Sequence, residues 1–267
     1  MHIHFLDPYR PRRSPIHKLD PRVKFVLTVA FILTVSLSPP GAWPVYILLF
    51  AIILSVEMLS DLGVGYVLKR ANLALPFVLA AVPLLFTMEG APLLTFQIGP
   101  WTLTMTGSGL ERFFSIALKS WISVQAAIVL AASTPFPDLL MAMRAVKVPR
   151  LLVAIFGLMW RYLFVLADEA MRMMRARAAR SGHADHPGAK AGGSVAWRAR
   201  VAGQMAGSLF LRALERSDRI YMAMVSRGYD GEVRSLPLPD ITTTHWLILV
   251  TSLSVFGILL AFTYLFW

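Results

Sequence analysis

Two short stretches of this chain set an arginine among small residues beside a glycine: Ala179-Arg180-Ser181-Gly182 and Ser226-Arg227-Gly228. A guanidinium is planar, permanently charged and carries five donors in a fixed fork. Small neighbours leave that fork uncovered. At the end of a helix it can enter a groove on another protein and make several directional hydrogen bonds. That chemistry is recognition, not catalysis. A basic residue also suits the negative end of a helix dipole as a routine stabilising device. Two such ends in one basic block favour docking over that simpler account.

Other groups that could do chemistry are few. The chain has no cysteine, which excludes disulfides, thiolate metal sites and thiol nucleophiles. His183 and His186 form an H-x-x-H pair, but in a Gly- and Ala-rich loop without a third ligand they make no metal site. There is no G-x-x-x-x-G-K-[ST] segment to cradle a nucleotide, no H-E-x-x-H and no G-x-S-x-G. No acidic cluster suggests a divalent ion or an acid–base pair. The expectation is a non-enzyme without cofactor. Lys119 and Glu57 fall within or near apolar runs, where charges are often functional. Both lie near run ends, so the simpler reading is that they snorkel to an interface.

The elements that must position the two arginines are helices. Leu151 to Arg180 starts apolar and ends charged, with Asp168 and Glu169 four and three residues before Arg172, and Ser181-Gly182 as the stop. Val195 to Arg227 carries Leu211, Leu214, Tyr221 and Met222 at helical spacing, Glu215 four residues before Arg219, and Gly228 as the cap. Asp138 is placed to cap a short helix, Leu139–Val146.

Around these elements the composition is that of a membrane protein. Hydrophobic residues make up 57% and charged residues 15%, against roughly 25% charged in soluble domains. The mean hydropathy is +0.62. The net charge of +11 flanks apolar runs and so marks a membrane face; no nucleic-acid partner is implied. No cleavable signal peptide is visible. Candidate spans are Val23–Leu37, Trp43–Leu59, Leu73–Met88, Phe113–Ala132 and Trp246–Phe266, the third kinked by Pro76 and Pro83. The basic N-terminal segment is expected in the cytoplasm, and the loop Glu89–Glu111, without Lys or Arg, outside. Residues 134–244 hold 16 of the 26 Lys and Arg residues and belong inside. Leu151–Ala167 is therefore read as the apolar part of a long helix against the membrane domain, not as a span. The expected organisation is 1–133 with four spans, 134–244 as a cytoplasmic helical coupling domain, and 245–267 as a fifth span: an all-α integral membrane protein.

The order of these features resembles a family. His17-Lys18-Leu19-Asp20-Pro21-Arg22-Val23-Lys24, Thr134-Pro135-Phe136-Pro137-Asp138-Leu139, Arg161-Tyr162 followed by Glu169, and Ala223-Met224-Val225-Ser226-Arg227-Gly228-Tyr229-Asp230-Gly231 are similar to stretches of the transmembrane coupling (T) component of energy-coupling-factor transporters, of the CbiQ type found in cobalt and nickel importers. The resemblance implies a bacterial cell-membrane protein with two ATP-binding-cassette ATPase subunits and a separate, metal-specific substrate-binding (S) membrane subunit as partners. It also implies that two helix ends carrying Ala-Arg-Gly motifs insert into grooves of the ATPases. By position these are Ala179, Arg180 and Ser181, and Ser226, Arg227 and Gly228. The first departs from the pattern as Ala-Arg-Ser with Gly182 one place late, the second as Ser-Arg-Gly. A conventional importer permease would carry E-A-A-x-x-x-G; here Glu169-Ala170 is followed by Met171, with Arg175 at the glycine position.

Overall fold

The computed structural model describes residues 8–88, 92–98, 101–180, 194–231 and 240–266. The protein is an all-α membrane protein with one β-hairpin added. Its helices are α1 (Pro15–Lys18), α2 (Pro21–Leu37), α3 (Trp43–Leu59), α4 (Val64–Ala71), α5 (Leu75–Val78), α6 (Leu84–Thr87), α7 (Gly107–Ser133), α8 (Phe136–Ala145), α9 (Arg150–Arg180), α10 (Val195–Val225) and α11 (Thr243–Phe266). Contacts divide the chain into two compact units, Pro8–Val146 with Leu238–Trp267, and Lys147–Pro237.

In the first unit the helices start and stop where local chemistry dictates. Pro21 opens α2, and the Asp20 carboxylate accepts the Arg22 N–H at 2.8 Å. Pro39 and Pro40 follow its last turn. α3 ends at Ser60, and the chain turns through Asp61 (φ 54°) and Gly63 (φ 82°). Each of these helices has 17 residues, about 26 Å at 1.5 Å per residue, just short of a hydrocarbon core of about 30 Å. α7, α9 and α11, with 27, 31 and 24 residues, are long and apolar enough to cross a membrane. Leu73–Met88 is interrupted as its prolines demand: 3₁₀ turns at Asn72–Ala74 and Leu79–Ala81 separate α4, α5 and α6, and the path bends by 42°. The length criterion thus also admits α9, which the charge distribution had set apart, and admits α4–α6 only if the bent pair is one span.

The core lies where α2, α3, α7 and α11 meet. Val35, Val45, Tyr46, Leu49 and Ile122 are fully buried there, and Phe50 stacks on Trp121 at 5.3 Å. Three polar groups of the first unit tie helix ends together. The Arg10 N–H donates to the Ala132 carbonyl at 2.9 Å and Lys24 Nζ to that of Ser133 at 3.2 Å, so the N-terminal segment satisfies carbonyls that α7 leaves unpaired. Lys119 Nζ donates to the Ser38 carbonyl at the end of α2 and lies 5.6 Å from the Tyr46 ring centroid. Glu57 does not snorkel: it is fully buried, and neither carboxylate oxygen has a hydrogen-bond partner among the described residues.

Two further differences from the sequence reading have local causes. Asp138 lies inside the first turn of α8, where its charge suits the helix dipole, and Pro135 takes the cap position without a side-chain bond. α8 packs on α2 and belongs to the first unit by its contacts. The expected outer loop contains an antiparallel hairpin, β1 (Pro92–Ile98) with β2 (Trp101–Thr106), pairing Thr95 with Thr104 and Ile98 with Trp101. β2 runs directly into α7, whose N-cap Thr106 accepts the Gly109 N–H at 3.2 Å and donates to the Met88 carbonyl at 2.9 Å.

α1 is held by His17. Its Nε2–H donates to the Arg10 carbonyl at 3.0 Å, which leaves Nδ1, 2.7 Å from Ser14 Oγ, to accept that hydroxyl when the ring is neutral. Burial pushes the imidazole below its ordinary value of 6.5. The folded state therefore favours the neutral ring. The stability this contributes is fully present above pH 6.5 and is lost as pH falls through the lowered folded value. A His17→Gln variant is expected to flatten the acid limb of a thermal-midpoint profile measured between pH 7.5 and 5; an unchanged slope would contradict this assignment.

Candidate functional site

The second unit is a helix pair with exposed ends. α9 and α10 have 31 residues each and meet at one polar node. Glu169 of α9 is buried, 7% exposed. Its Oε1 accepts from Arg212 Nη1 at 3.3 Å and its Oε2 from Arg216 Nη2 at 2.9 Å. The sequence reading gave Glu169 to Arg172 on its own helix; the structure turns both its oxygens to α10. The signal was present in the sequence, since Arg212 and Arg216 stand four residues apart and so share a helix face.

Each helix carries its arginine eleven residues beyond this node: Arg180 follows Glu169, and Arg227 follows Arg216. At 1.5 Å per residue both arms are about 16 Å long. Ala179 and Arg180 are exposed on the last turn of α9. Ser181 and Gly182 lie outside the described residues, as do His183, His186 and the 232–239 connector. At the other end Ser226, Arg227 and Gly228 are all exposed. α10 closes there in a tight turn: the N–H groups of Arg227 and Tyr229 both donate to the Met224 carbonyl, at 3.0 and 3.1 Å, and that of Gly228 to Val225 at 2.9 Å. Gly228 takes φ 78°, the left-handed conformation that suits glycine at a helix end. Ser226 Oγ donates back to the Ala223 carbonyl at 3.0 Å, so the Arg227 side chain is the group this end presents.

The structure does not bring the two arginines together. Arg180 lines a groove with Trp197 near the start of α10, and Arg227 is 30 residues further along, about 45 Å of helix. The groove also takes in Met173, Val201 and Met205, with Arg172, Arg177 and Arg212 at its edges. Further along α10, Phe210, Leu211, Leu214, Tyr221, Met222 and Val225 are exposed, an apolar face too large to be scattered surface residues. Among the described residues no group of three His, Cys, Asp or Glu side chains could hold a metal. The arrangement offers contact surfaces and two cationic tips on a braced pair of levers.

A family model described as cobalt transport protein, CbiQ, matches residues 12–237 and so takes in α1 to α10, both long helices among them. The chain belongs to the CbiQ family. The cobalt transport protein CbiQ of Rhodobacter capsulatus is 31% identical over 186 residues, 70% of this chain and 71% of its own. An energy-coupling factor transporter transmembrane protein, EcfT, of Thermosediminibacter oceani is 30% identical over 233 residues, 85% of this chain and 84% of its own. A protein named as a fused cobalt transport protein CbiMQ, from Methanocorpusculum labreanum, is 25% identical over 82% of this chain and 35% of its own length. Membership in CbiQ makes this a multi-pass transporter membrane component.

Within this CbiQ-family chain the node should fail asymmetrically. Arg212 and Arg216 side chains are 57% and 30% exposed, whereas that of Glu169 is 10% exposed. Glu169→Ala frees arginines that can rotate toward water. Arg212→Ala with Arg216→Ala strands a buried carboxylate, the costlier outcome. The double variant is expected to speed amide exchange along α10 more than Glu169→Ala does; equal effects would show that the node is solvated in practice.

Proposed function

We propose that this chain is the transmembrane coupling subunit of an ATP-driven energy-coupling-factor importer for cobalt or nickel. What carries the reading is the braced pair α9–α10, fixed at Glu169 and ending in exposed Arg180 and Arg227 at equal reach. In this account residues 134–244 lie in the cytoplasm with the N-terminus, α11 is the last span, and α9 does not cross the membrane. Ala179, Arg180 and Ser181 dock into one ATP-binding-cassette subunit, and Ser226, Arg227 and Gly228 into the other. A groove contact by a fork of donors needs an uncovered guanidinium on a rigid stem, which both ends provide.

ATP-driven closure of the two ATPases would move the tips. Because α9 and α10 are tied at one polar point, the tips move as levers about it, a rigid-body shift of packed helices. The apolar face of α10 then repositions a separate substrate-binding membrane subunit, which selects the metal. The relatives named for cobalt transport, one of them a fusion named CbiMQ, support both the substrate class and the need for a second membrane component. The test is recovery of the ATPases with the purified chain when both arginines are reversed in charge.

A further inference from the structure

The first unit has a half-open cleft of about 490 Å³ bounded by α2, α3, α7 and α11, with α1 across one end. That volume is typical of pockets that bind a discrete ligand, which run from about 300 to 1,000 Å³. Its walls are almost wholly aliphatic and aromatic. Of the four hydroxyls on them, three bond within their own helices: Thr28 Oγ1 donates to the Lys24 carbonyl and Thr251 Oγ1 to that of Leu247, both at 2.8 Å, and Ser133 Oγ to that of Leu130 at 3.4 Å. That leaves Ser252 as the one wall hydroxyl facing a solute, too little to hold a water, which needs two to four polar partners. At the far end Phe31 and Phe256 close the slot edge to face, with ring centroids 5.7 Å apart. From Lys24 to Phe31 is seven residues of helix, about 10 Å of depth.

The other end is cationic. Lys24 lines the cavity although it is only 7% exposed. Its ammonium group makes one hydrogen bond, to the Ser133 carbonyl at 3.2 Å, and no ion pair with a carboxylate among the described residues. Two of its three N–H groups are left for something else. Asp20 and Asp138 act on it only through space. The same segment of chain carries Arg10, Arg12, Arg13, Lys18 and Arg22, against two acids, Asp7 and Asp20.

A dry slot capped by a basic mouth, in a protein embedded in a bilayer, selects a molecule with a long apolar tail and an anionic head. We infer that this cavity holds one acyl chain of an anionic phospholipid, with the headgroup phosphate at Lys24. Basic pockets between membrane helices bind anionic headgroups in this way. The bound lipid fills the gap between α11 and the other helices and so braces the last helix. This inference rests on membrane embedding alone and is independent of how Arg180 and Arg227 dock.

The experiment is native mass spectrometry of the full chain in detergent, titrated with dioleoylphosphatidylglycerol or dioleoylphosphatidylcholine. Wild type is expected to keep one phosphatidylglycerol per chain and to prefer it by about fivefold, the worth of one basic residue near a headgroup. Ser252→Trp and Thr28→Trp, which fill the slot from opposite helices, should lose the lipid while remaining monodisperse. Lys24→Gln should keep a bound lipid but bring the two headgroups level. The inference is overturned if wild type retains no lipid or shows no headgroup preference. It is also overturned if Lys24→Gln keeps the preference, if either folded tryptophan variant binds as wild type does, or if the assembled transporter carries no lipid because a partner subunit fills the slot. The wild-type and Lys24→Gln measurements decide even where a tryptophan variant does not fold.

Discussion

Arg180→Glu combined with Arg227→Glu is expected to abolish recovery of the ATPase subunits with the purified chain. A fully desolvated arginine anchor at an interface is worth about 2 kcal/mol or more, and charge reversal adds repulsion to the loss of the fork. Two ends together then account for at least about 4 kcal/mol, close to a thousandfold in affinity. Each single reversal should weaken assembly by about thirtyfold or more and leave one ATPase held, because the second contact is made by a tethered partner at high effective concentration. Arg227→Lys keeps the charge but not the planar fork and should fall between wild type and Arg227→Ala. The exposed positions of both side chains mean that none of these changes should lower the thermal midpoint of the isolated chain appreciably. Full recovery of both ATPases with the double variant, alongside unchanged metal uptake, would remove the docking role from these residues.

The elements that carry those arginines were legible because they obey one-dimensional rules. α9 and α10 begin and end within about two residues of where helical periodicity, Ser181-Gly182 and Gly228 place them. α2, α3 and α11 follow from uninterrupted apolar runs, and the bend near Pro76 and Pro83 from the chemistry of proline. What sequence did not reveal depends on contacts between distant positions. Glu169 had a suitable partner on its own helix in Arg172, and only the crossing with α10 decides for Arg212 and Arg216. Glu57 sits near a helix end, which suggested snorkelling, yet the fold buries it completely. The β-hairpin went unseen although Leu94–Ile98 and Trp101–Thr106 alternate strictly between apolar and polar residues, because the absence of Lys and Arg had marked that stretch only as a loop between apolar runs. The lipid slot is a space between four helices, and no single helix contains a signal for it.

Glycine-to-alanine substitutions should have opposite signs in the two units, which separates close packing from backbone entropy. Gly109 opens α7, and a Cβ there would lie 2.8 Å from the Leu84 carbonyl oxygen, 2.9 Å from that of Leu85 and 2.9 Å from Thr106 Oγ1. Two of these three are main-chain atoms of the bent α6 segment, so no side-chain rotation relieves the clash. Gly109→Ala is therefore expected to cost at least the upper part of the usual overpacking range of about 1–3 kcal/mol, and to displace α6 from α7. Gly203 and Gly207 lie within α10, where an added Cβ meets nothing within 4 Å. Alanine at either should stabilise the isolated chain by about 0.4–1 kcal/mol, because it restricts the unfolded chain and favours helix. Thermal midpoints of the three variants in one detergent give the comparison, and a neutral Gly109→Ala would mean that α6 is not held against α7 as described. Transport measured on the same variants adds a second distinction. Gly203 and Gly207 are one helical turn apart on an exposed face, so a stabilised helix with impaired transport would mean that a partner approaches α10 closely at that turn.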